Sequence, residues 1–353
     1  MGCSMRRFAS LLLAAGSLQI ASPLAAQAPP PPAKIAQLGT CTFASGATVR
    51  DCRIAYRTFG RLNATRTNGV LIPTWLLGRS EDWIGLLGAE ALVDTTRFYA
   101  ILVDAFGNGR SSSPSNSNPA DRSAFRDLTI ADMVEAQHRL VVDHLKLSRL
   151  HAVMGISMGG FQSFEWAVRY PEFMDLVIPI VGSPRIGAFD HAVWTSVISE
   201  IRNSRAHGIS DDSTWTQLMR IMTLVGSTPR AINDSSAAVV DRDIVQGAKW
   251  MRGNWALEDF EAQLGAALRQ DVSSRFGGDL SRAAAQVRAP MLIVYSWDDH
   301  LVTAESGVEF AKYVKADTLS VPTKCGHGLP GCEAKTTFPV VRRFLERGLG
   351  ASR

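Results

Sequence analysis

The sequence predicts an α/β fold with a mostly parallel central sheet and one helical insertion, and three observations carry that prediction. Between residues 70 and 182, short runs of branched apolar residues alternate with runs of helical spacing, the pattern of parallel strands joined by crossover helices. Within that region the apolar run Leu150–Met154 leads into Gly155-Ile156-Ser157-Met158-Gly159, and an amphipathic run from Phe161 to Tyr170 follows at once. From about Arg185 to Gln286 the texture becomes helical, with no strong strand, before an apolar run at 290–295 returns to the sheet. The chain has 353 residues, 46% hydrophobic and 20% charged, which is ample for a large core.

Residues 1–26 read as a signal peptide. Arg6 and Arg7 form a positive start, and Phe8 to Ile20 is mostly apolar but short for a bilayer span. Cleavage is expected after Ala26, because cleavage after Ala28 would leave Pro29 beside the scissile bond. Residues 27–40 follow as a spacer, stiff and extended at Pro29–Pro32. This places the mature protein in the periplasm or outside the cell. Without Arg6 and Arg7 it carries 35 basic and 33 acidic residues, a net charge of +2. The basic character of the whole chain therefore says little. No Lys/Arg cluster interleaved with aromatics appears, which argues against nucleic acid as a partner. No second long apolar run appears, so no membrane contact is expected after leader removal. A homodimer stays open.

Residues 41–184 are expected to form the first part of the core. Val49, Ile54, Tyr56 and Thr58 suit an early hairpin or meander, and Val70–Pro73 a short buried strand. The loop Thr74-Trp75-Leu76-Leu77-Gly78 follows, then a strand at 98–103. The glycine-rich run Gly107-Asn108-Gly109-Arg110-Ser111 lacks a Gly-Lys-Ser/Thr ending and reads as a structural loop near the site mouth, not a phosphate cradle. Thr129 to Leu145 has helical spacing, and 175–181 is a further strand. Residues 185–286 are expected to form a helical cap. Residues 287–353 complete the core, with a strand at 290–295, a last strand at 318–321, and a closing helix whose main part is 338–345.

The elbow sequence is where chemistry enters. Strand, sharp turn and helix hold a serine in a strained conformation at a strand tip, with flanking glycines where chains crowd. The helix N-terminus behind Ser157 points its N–H groups at any oxyanion formed there. In folds with this elbow the order is Ser, then Asp/Glu, then His, and the loop after the third strand supplies one oxyanion donor. That donor is assigned to Leu76. A serine hydroxyl needs a base, and the base needs a carboxylate. Asp298 and Asp299 follow the strand at 291–295, and Asp299 is preferred because Asp-x-Leu-Val frames the acid, with Asp298 as the alternative. His327, in Lys324-Cys325-Gly326-His327-Gly328, has flanking glycines that give its ring room to reach back over the sheet.

Outside the leader there are four cysteines. In an oxidising compartment they suggest two disulfides, with nearest-neighbour pairing Cys41–Cys52 and Cys325–Cys332, although spacing leaves the connectivity open. No Cys-x-x-Cys occurs, and neither a metal site nor a cofactor is expected.

At this point the chain resembles the homoserine O-acetyltransferase family of the α/β hydrolase fold. The resemblance runs from Tyr56-Arg57-Thr58-Phe59-Gly60-Arg61-Leu62-Asn63 through Asp94-Thr95-Thr96-Arg97-Phe98-Tyr99 and Asp127-Leu128-Thr129-Ile130-Ala131-Asp132-Met133-Val134. Its most specific stretch is Gly155-Ile156-Ser157-Met158-Gly159-Gly160-Phe161-Gln162-Ser163-Phe164-Glu165-Trp166-Ala167. It implies Ser157 as an acylated nucleophile with Asp299 and His327, and the N–H groups of Leu76 and Met158 as oxyanion hole. It also implies Arg220 as the cap arginine that holds a substrate carboxylate. The chain departs from the family at Gly328, where an aspartate follows the histidine, and at Ser227, where a tyrosine is usual.

The leading functional reading is therefore an exported serine hydrolase acting on an ester or related acyl substrate. An O-acyltransferase moving an acyl group from acyl-CoA to an alcohol is the alternative, and a non-catalytic binding protein on the same fold the third.

Overall fold

The computed structural model describes residues 31–348, so the expected leader lies outside the described residues. Eight strands form one sheet in the order β1-β2-β4-β3-β5-β6-β7-β8. The antiparallel edge is β1 (Lys34–Thr42) and β2 (Thr48–Phe59), with β2 also antiparallel to β4 (Tyr99–Val103). The rest is parallel: β4, β3 (Gly69–Pro73), β5 (Leu150–Ile156), β6 (Met174–Ile180), β7 (Leu292–Tyr295) and β8 (Asp317–Ser320).

The central strands are buried on both faces, which is why they read as continuous apolar runs. Successive side chains still alternate between two cores. Val70, Ile72, Ala152 and Met154 face one, while Leu71 and Val153 face the other. The second face is covered by α1 (Ile130–Arg139), α2 (Met158–Arg169) and later α9 (Glu305–Val314), the first by α11 (Ala334–Leu345). Thr129 starts α1 with a capping box: its hydroxyl accepts from the Asp132 N–H at 3.2 Å, and Asp132 accepts from the Thr129 N–H at 2.9 Å.

Between β6 and β7 the chain leaves the sheet for five helices: α3 (Ala188–Ala206), α4 (Asp211–Gly226), α5 (Pro229–Asn233), α6 (Ala237–Asn254) and α7 (Leu257–Leu268). The two chain segments at its base pair across Arg185 and Asp271, with Ile186 N–H donating to Gln270 O at 3.1 Å and Val272 N–H to Pro184 O at 3.0 Å. The insertion thus closes at Asp271, short of the expected 286. Beyond it, α8 (Leu280–Ala284) packs against α9.

One further departure has a local cause. The expected spacer ends before residue 40, because β1 begins at Lys34. Only Ala36, Leu38 and Cys41 of that strand turn inward, and a left-handed Gly39 breaks the alternation. α6 lies inside the expected helical region although its apolar side chains are few and scattered, with only Ile244, Gly247, Ala248 and Met251 buried. α11 starts at Ala334 and carries Pro339 inside it, so the expected run 338–345 is its main part.

The cap is tied down at α7. Ser115 donates to Asp259 from its N–H at 2.9 Å and from its hydroxyl at 2.6 Å, joining α7 to the loop after β4. Burial pushes the Asp259 carboxyl up to about 6, with the Ser115 hydrogen bonds pulling it back. A folded-state pKa above the ordinary carboxylate value means the native state binds the proton more tightly. Ionisation therefore costs stability, fully above about pH 6 and not at all below about pH 4. Asp259→Asn should consequently gain stability relative to the parent protein as pH rises from about 4 to 7, by up to about 3 kcal/mol. Urea unfolding at the two pH values measures this, and a difference that stays constant with pH would refute it.

Candidate active site

Ser157 stands at the junction of β5 and α2 with φ 58° and ψ −122°, a conformation L-residues rarely adopt. The geometry follows from close packing. A Cβ on Gly155 would lie 2.3 Å from Gly159 C and O, and one on Gly159 would lie 2.5 Å from Pro73 O. Ser157 N–H donates to Ile180 O at 2.9 Å, and Phe161 N–H donates back to Ser157 O at 3.1 Å. The side chain is thereby aimed off the end of the sheet.

His327 comes from the loop after β8, in a short turn (Gly326–Gly328) ahead of α10 (Leu329–Cys332). Gly326 has φ +56° and sits so tightly against Asp298 O and Gly226 O, both 3.2 Å from its Cβ position, that the loop is wedged between the acid turn and the end of α4. The Cys325–Cys332 disulfide closes the same loop, and Cys41–Cys52 joins β1 to β2. Both pairings are the nearest-neighbour ones expected.

These elements bring together three side chains separated by up to 170 residues. The Ser157 hydroxyl donates to His327 Nε2 at 2.7 Å, and His327 Nδ1–H donates to Asp299 Oδ2 at 2.7 Å. Asp299 Oδ1 accepts from the N–H groups of Leu301 at 2.9 Å and Val302 at 3.0 Å, so the carboxylate cannot swing away. The neighbouring turn is anchored to the cap. Buried Asp190 on α3 accepts from Thr303 N–H at 3.0 Å and from its hydroxyl at 2.9 Å. Burial pushes the Asp190 carboxyl up, and the Thr303 bonds draw it down. Asp298 points elsewhere, accepting from Thr323 N–H at 3.0 Å. Chemically, the arrangement can deprotonate Ser157 and stabilise the imidazolium that results.

Leu76 and Met158 flank Ser157, Met158 as the first residue of α2. Among the described residues, neither N–H donates to another protein group. The cavity above Ser157 is walled by Trp75, Leu76 and Leu77 on one side and Ile156 below. Trp194, Trp215, Leu218, Met219, Met222, Met251 and Phe260 form its cap side, and Leu301, His327 and Gly328 complete it. Arg220 is not in the cavity wall. It lies on the solvent face of α4, donating to Gln217 Oε1 at 3.1 Å. Helical spacing explains the correction: residues 215, 218, 219 and 222 share the face that turns inward, and position 220 falls outside it. Among the described residues, no group of three or more His, Cys, Asp or Glu is placed to hold a metal ion.

Two glutamines that sequence reasoning passed over belong to this site. Gln162 Nε2–H groups donate to Thr74 O and Met158 O, each at 3.0 Å, joining the loop after β3 to the start of α2. Gln263 on α7 accepts from Leu77 N–H at 2.6 Å. Gln162 lies inside the stretch that carries the family resemblance. Gln263 has no local signal.

The sequence pattern of the family described as alpha/beta hydrolase fold matches residues 70–330. The chain belongs to the α/β hydrolase family. Ethyl acetate hydrolase of Pseudomonas veronii is 28% identical over 320 residues, covering 86% of this chain and 92% of that protein. Homoserine O-acetyltransferase of Trichormus variabilis is 29% identical over 335 residues, covering 85% of this chain and 90% of that protein. The solved acetyl esterase MekB superposes with a TM-score of 0.82 at 26% identity, covering 90% of this chain and 97% of its own. The chain is thus a homoserine O-acetyltransferase-like α/β hydrolase, an enzyme acting on acyl substrates.

Two outcomes follow from the site geometry. Asp299→Asn should slow fluorophosphonate labelling of Ser157 by about 10³–10⁴-fold, and Asp298→Asn by less than about tenfold; equal losses would contradict the different roles of the two carboxylates. Replacing Cys325 and Cys332 together by serine should lower unfolding free energy by about 2–3 kcal/mol, as expected for a short closed loop, and an unchanged denaturation midpoint would refute it.

Proposed function

We propose that this enzyme is an exported serine esterase cleaving small, uncharged carboxylic esters. The observation that carries this reading is the cavity over Ser157: its walls are apolar, and His327 is the one ionisable side chain among the residues lining it. A zwitterionic acceptor such as homoserine would need a fixed counter-charge, since a buried charge without a partner is costly. Arg220 faces solvent and Gly328 carries no side chain, so neither supplies one. The printed names of two of the relatives, an ethyl acetate hydrolase and an acetyl esterase, fit a short acyl group.

In this mechanism Ser157 Oγ attacks the ester carbonyl while His327 Nε2 takes its proton. The oxyanion is met by the N–H groups of Leu76 and Met158, aligned before reaction so that no donor has to reorganise. Collapse expels the alcohol, which receives its proton from His327. Water, activated by the same nitrogen, then releases the acid and restores Ser157. Asp299 holds the imidazole in the required tautomer throughout. The leader at residues 1–26 and the two disulfides support export to an oxidising compartment.

Acyl transfer to an alcohol shares every step up to the acyl-enzyme, and the acyltransferase names among the relatives favour it. The two readings differ in acceptor, which gives the test. Purified protein should hydrolyse ethyl acetate and p-nitrophenyl acetate, and Ser157→Ala should lose at least about 10⁴-fold in kcat/KM. Homoserine should not accelerate turnover. Release of CoA from acetyl-CoA only when homoserine is present would overturn the esterase reading in favour of the transferase.

A further inference from the structure

The loop that carries the Leu76 N–H is gripped from two sides. From the core, Gln162 binds Thr74 O and Met158 O, and Thr74 is itself fixed to β4 by its N–H to Val103 O at 3.0 Å. From the cap, Gln263 reaches Leu77. That residue has φ +57°, a left-handed conformation that costs a non-glycine residue free energy and persists only where neighbours hold it. Leu77 and Gln263 are both fully buried. The Leu77 N–H donates to Gln263 Oε1 at 2.6 Å, and Gln263 Nε2–H donates to Phe106 O at 2.7 Å. The side chain also runs beneath Gly107, whose Cβ would lie 2.8 Å from Gln263 Cγ. One amide from the cap thus fastens the loop after β3 to the loop after β4.

We infer that Gln263 is a positioning residue for the oxyanion hole: by holding the Leu77 peptide, it aims the preceding Leu76 N–H at the oxygen of the Ser157 adduct. The inference rests on the proposed roles of Ser157 and Leu76 and adds a function for the cap. The insertion does more than wall the cavity, since without its α7 the left-handed turn at Leu77 loses its acceptor. Leu77 N–H would then seek another partner, the turn would relax, and the neighbouring donor would lose its aim. Complete loss of one oxyanion donor lowers turnover by about 10²–10³-fold. Misaiming should forfeit part of that, about 10–100-fold.

The test uses the full chain and three variants. Gln263→Met keeps the volume and removes both hydrogen bonds. Gln263→Glu keeps an acceptor oxygen at the Leu77 N–H. Asp259→Asn perturbs another contact of α7 without touching Leu77. Gln263→Met should lower kcat for p-nitrophenyl acetate about 10–100-fold with KM within about threefold. It should weaken inhibition by a phenylboronic acid, a tetrahedral adduct former at serine, by a similar factor. Gln263→Glu, which keeps the acceptor for Leu77 but while ionised cannot donate to Phe106 O, should recover only part of both, and Asp259→Asn should change neither by more than about threefold. If Gln263→Met keeps kcat and boronate affinity within about twofold, or if Asp259→Asn loses as much as Gln263→Met, the positioning role is overturned. If the parent protein shows no turnover that Ser157→Ala abolishes, the reading of the site falls, and this inference with it.

Discussion

Everything at this site depends on how closely three pieces of backbone approach one another around Ser157. The end of β5, the start of α2 and the loop after β3 meet with no room for a Cβ at Gly155 or Gly159. That crowding holds Ser157 at φ 58° and lifts its hydroxyl clear of the sheet. It also sets the N-terminus of α2 beside the Leu76 loop, so the Leu76 and Met158 N–H groups, without a protein acceptor among the described residues, flank the hydroxyl. A larger residue at either glycine would part the chains, and the hydroxyl, the helix end and the loop would separate together. Strain at one residue is maintained because the surrounding sheet and helix over-determine it.

The remaining machinery converges on that point from distant parts of the chain, and the cap takes part in each approach. α3 anchors the acid turn through Asp190 and Thr303. The C-terminal end of α4 backs the His327 loop at Gly326. α7 reaches the loop after β3 through Gln263 and the loop after β4 through Asp259. A cap so bound is better described as part of the site's frame than as a cover laid over it. Its inner surface is otherwise apolar, and this chemistry suits the proposed esters better than a charged amino acid. Sequence similarity to homoserine acyltransferases therefore reports a shared frame and shared acyl chemistry, while the cavity wall is where this chain would choose its substrate.

Much of this was legible before the fold was known. The elbow, the order Ser157, Asp299, His327 and the apolar runs at β3, β5 and β6 are local signals: a motif, a chain order, a run of branched residues. They survive folding because the parallel sheet imposes them residue by residue. Pairing the cysteines as neighbours also succeeded, since short loops close easily. The signals that failed were weaker or were read through an analogy. β1 turns only three side chains inward, so its first residues read as spacer. The family resemblance points Arg220 at a substrate carboxylate, whereas the rotation of α4 turns it to solvent.

By itself, then, the sequence determined the α/β architecture, the candidate nucleophile and its candidate partners. Each of these is encoded in short stretches whose periodicity or turn chemistry has few solutions. Tertiary structure alone decided which of two adjacent aspartates meets His327, which face of α4 lines the cavity, and that Gln263 fastens a loop 186 residues away. Those depend on distances between elements remote in the chain, and a buried amide that serves such a contact looks in sequence like any other polar residue on a helix.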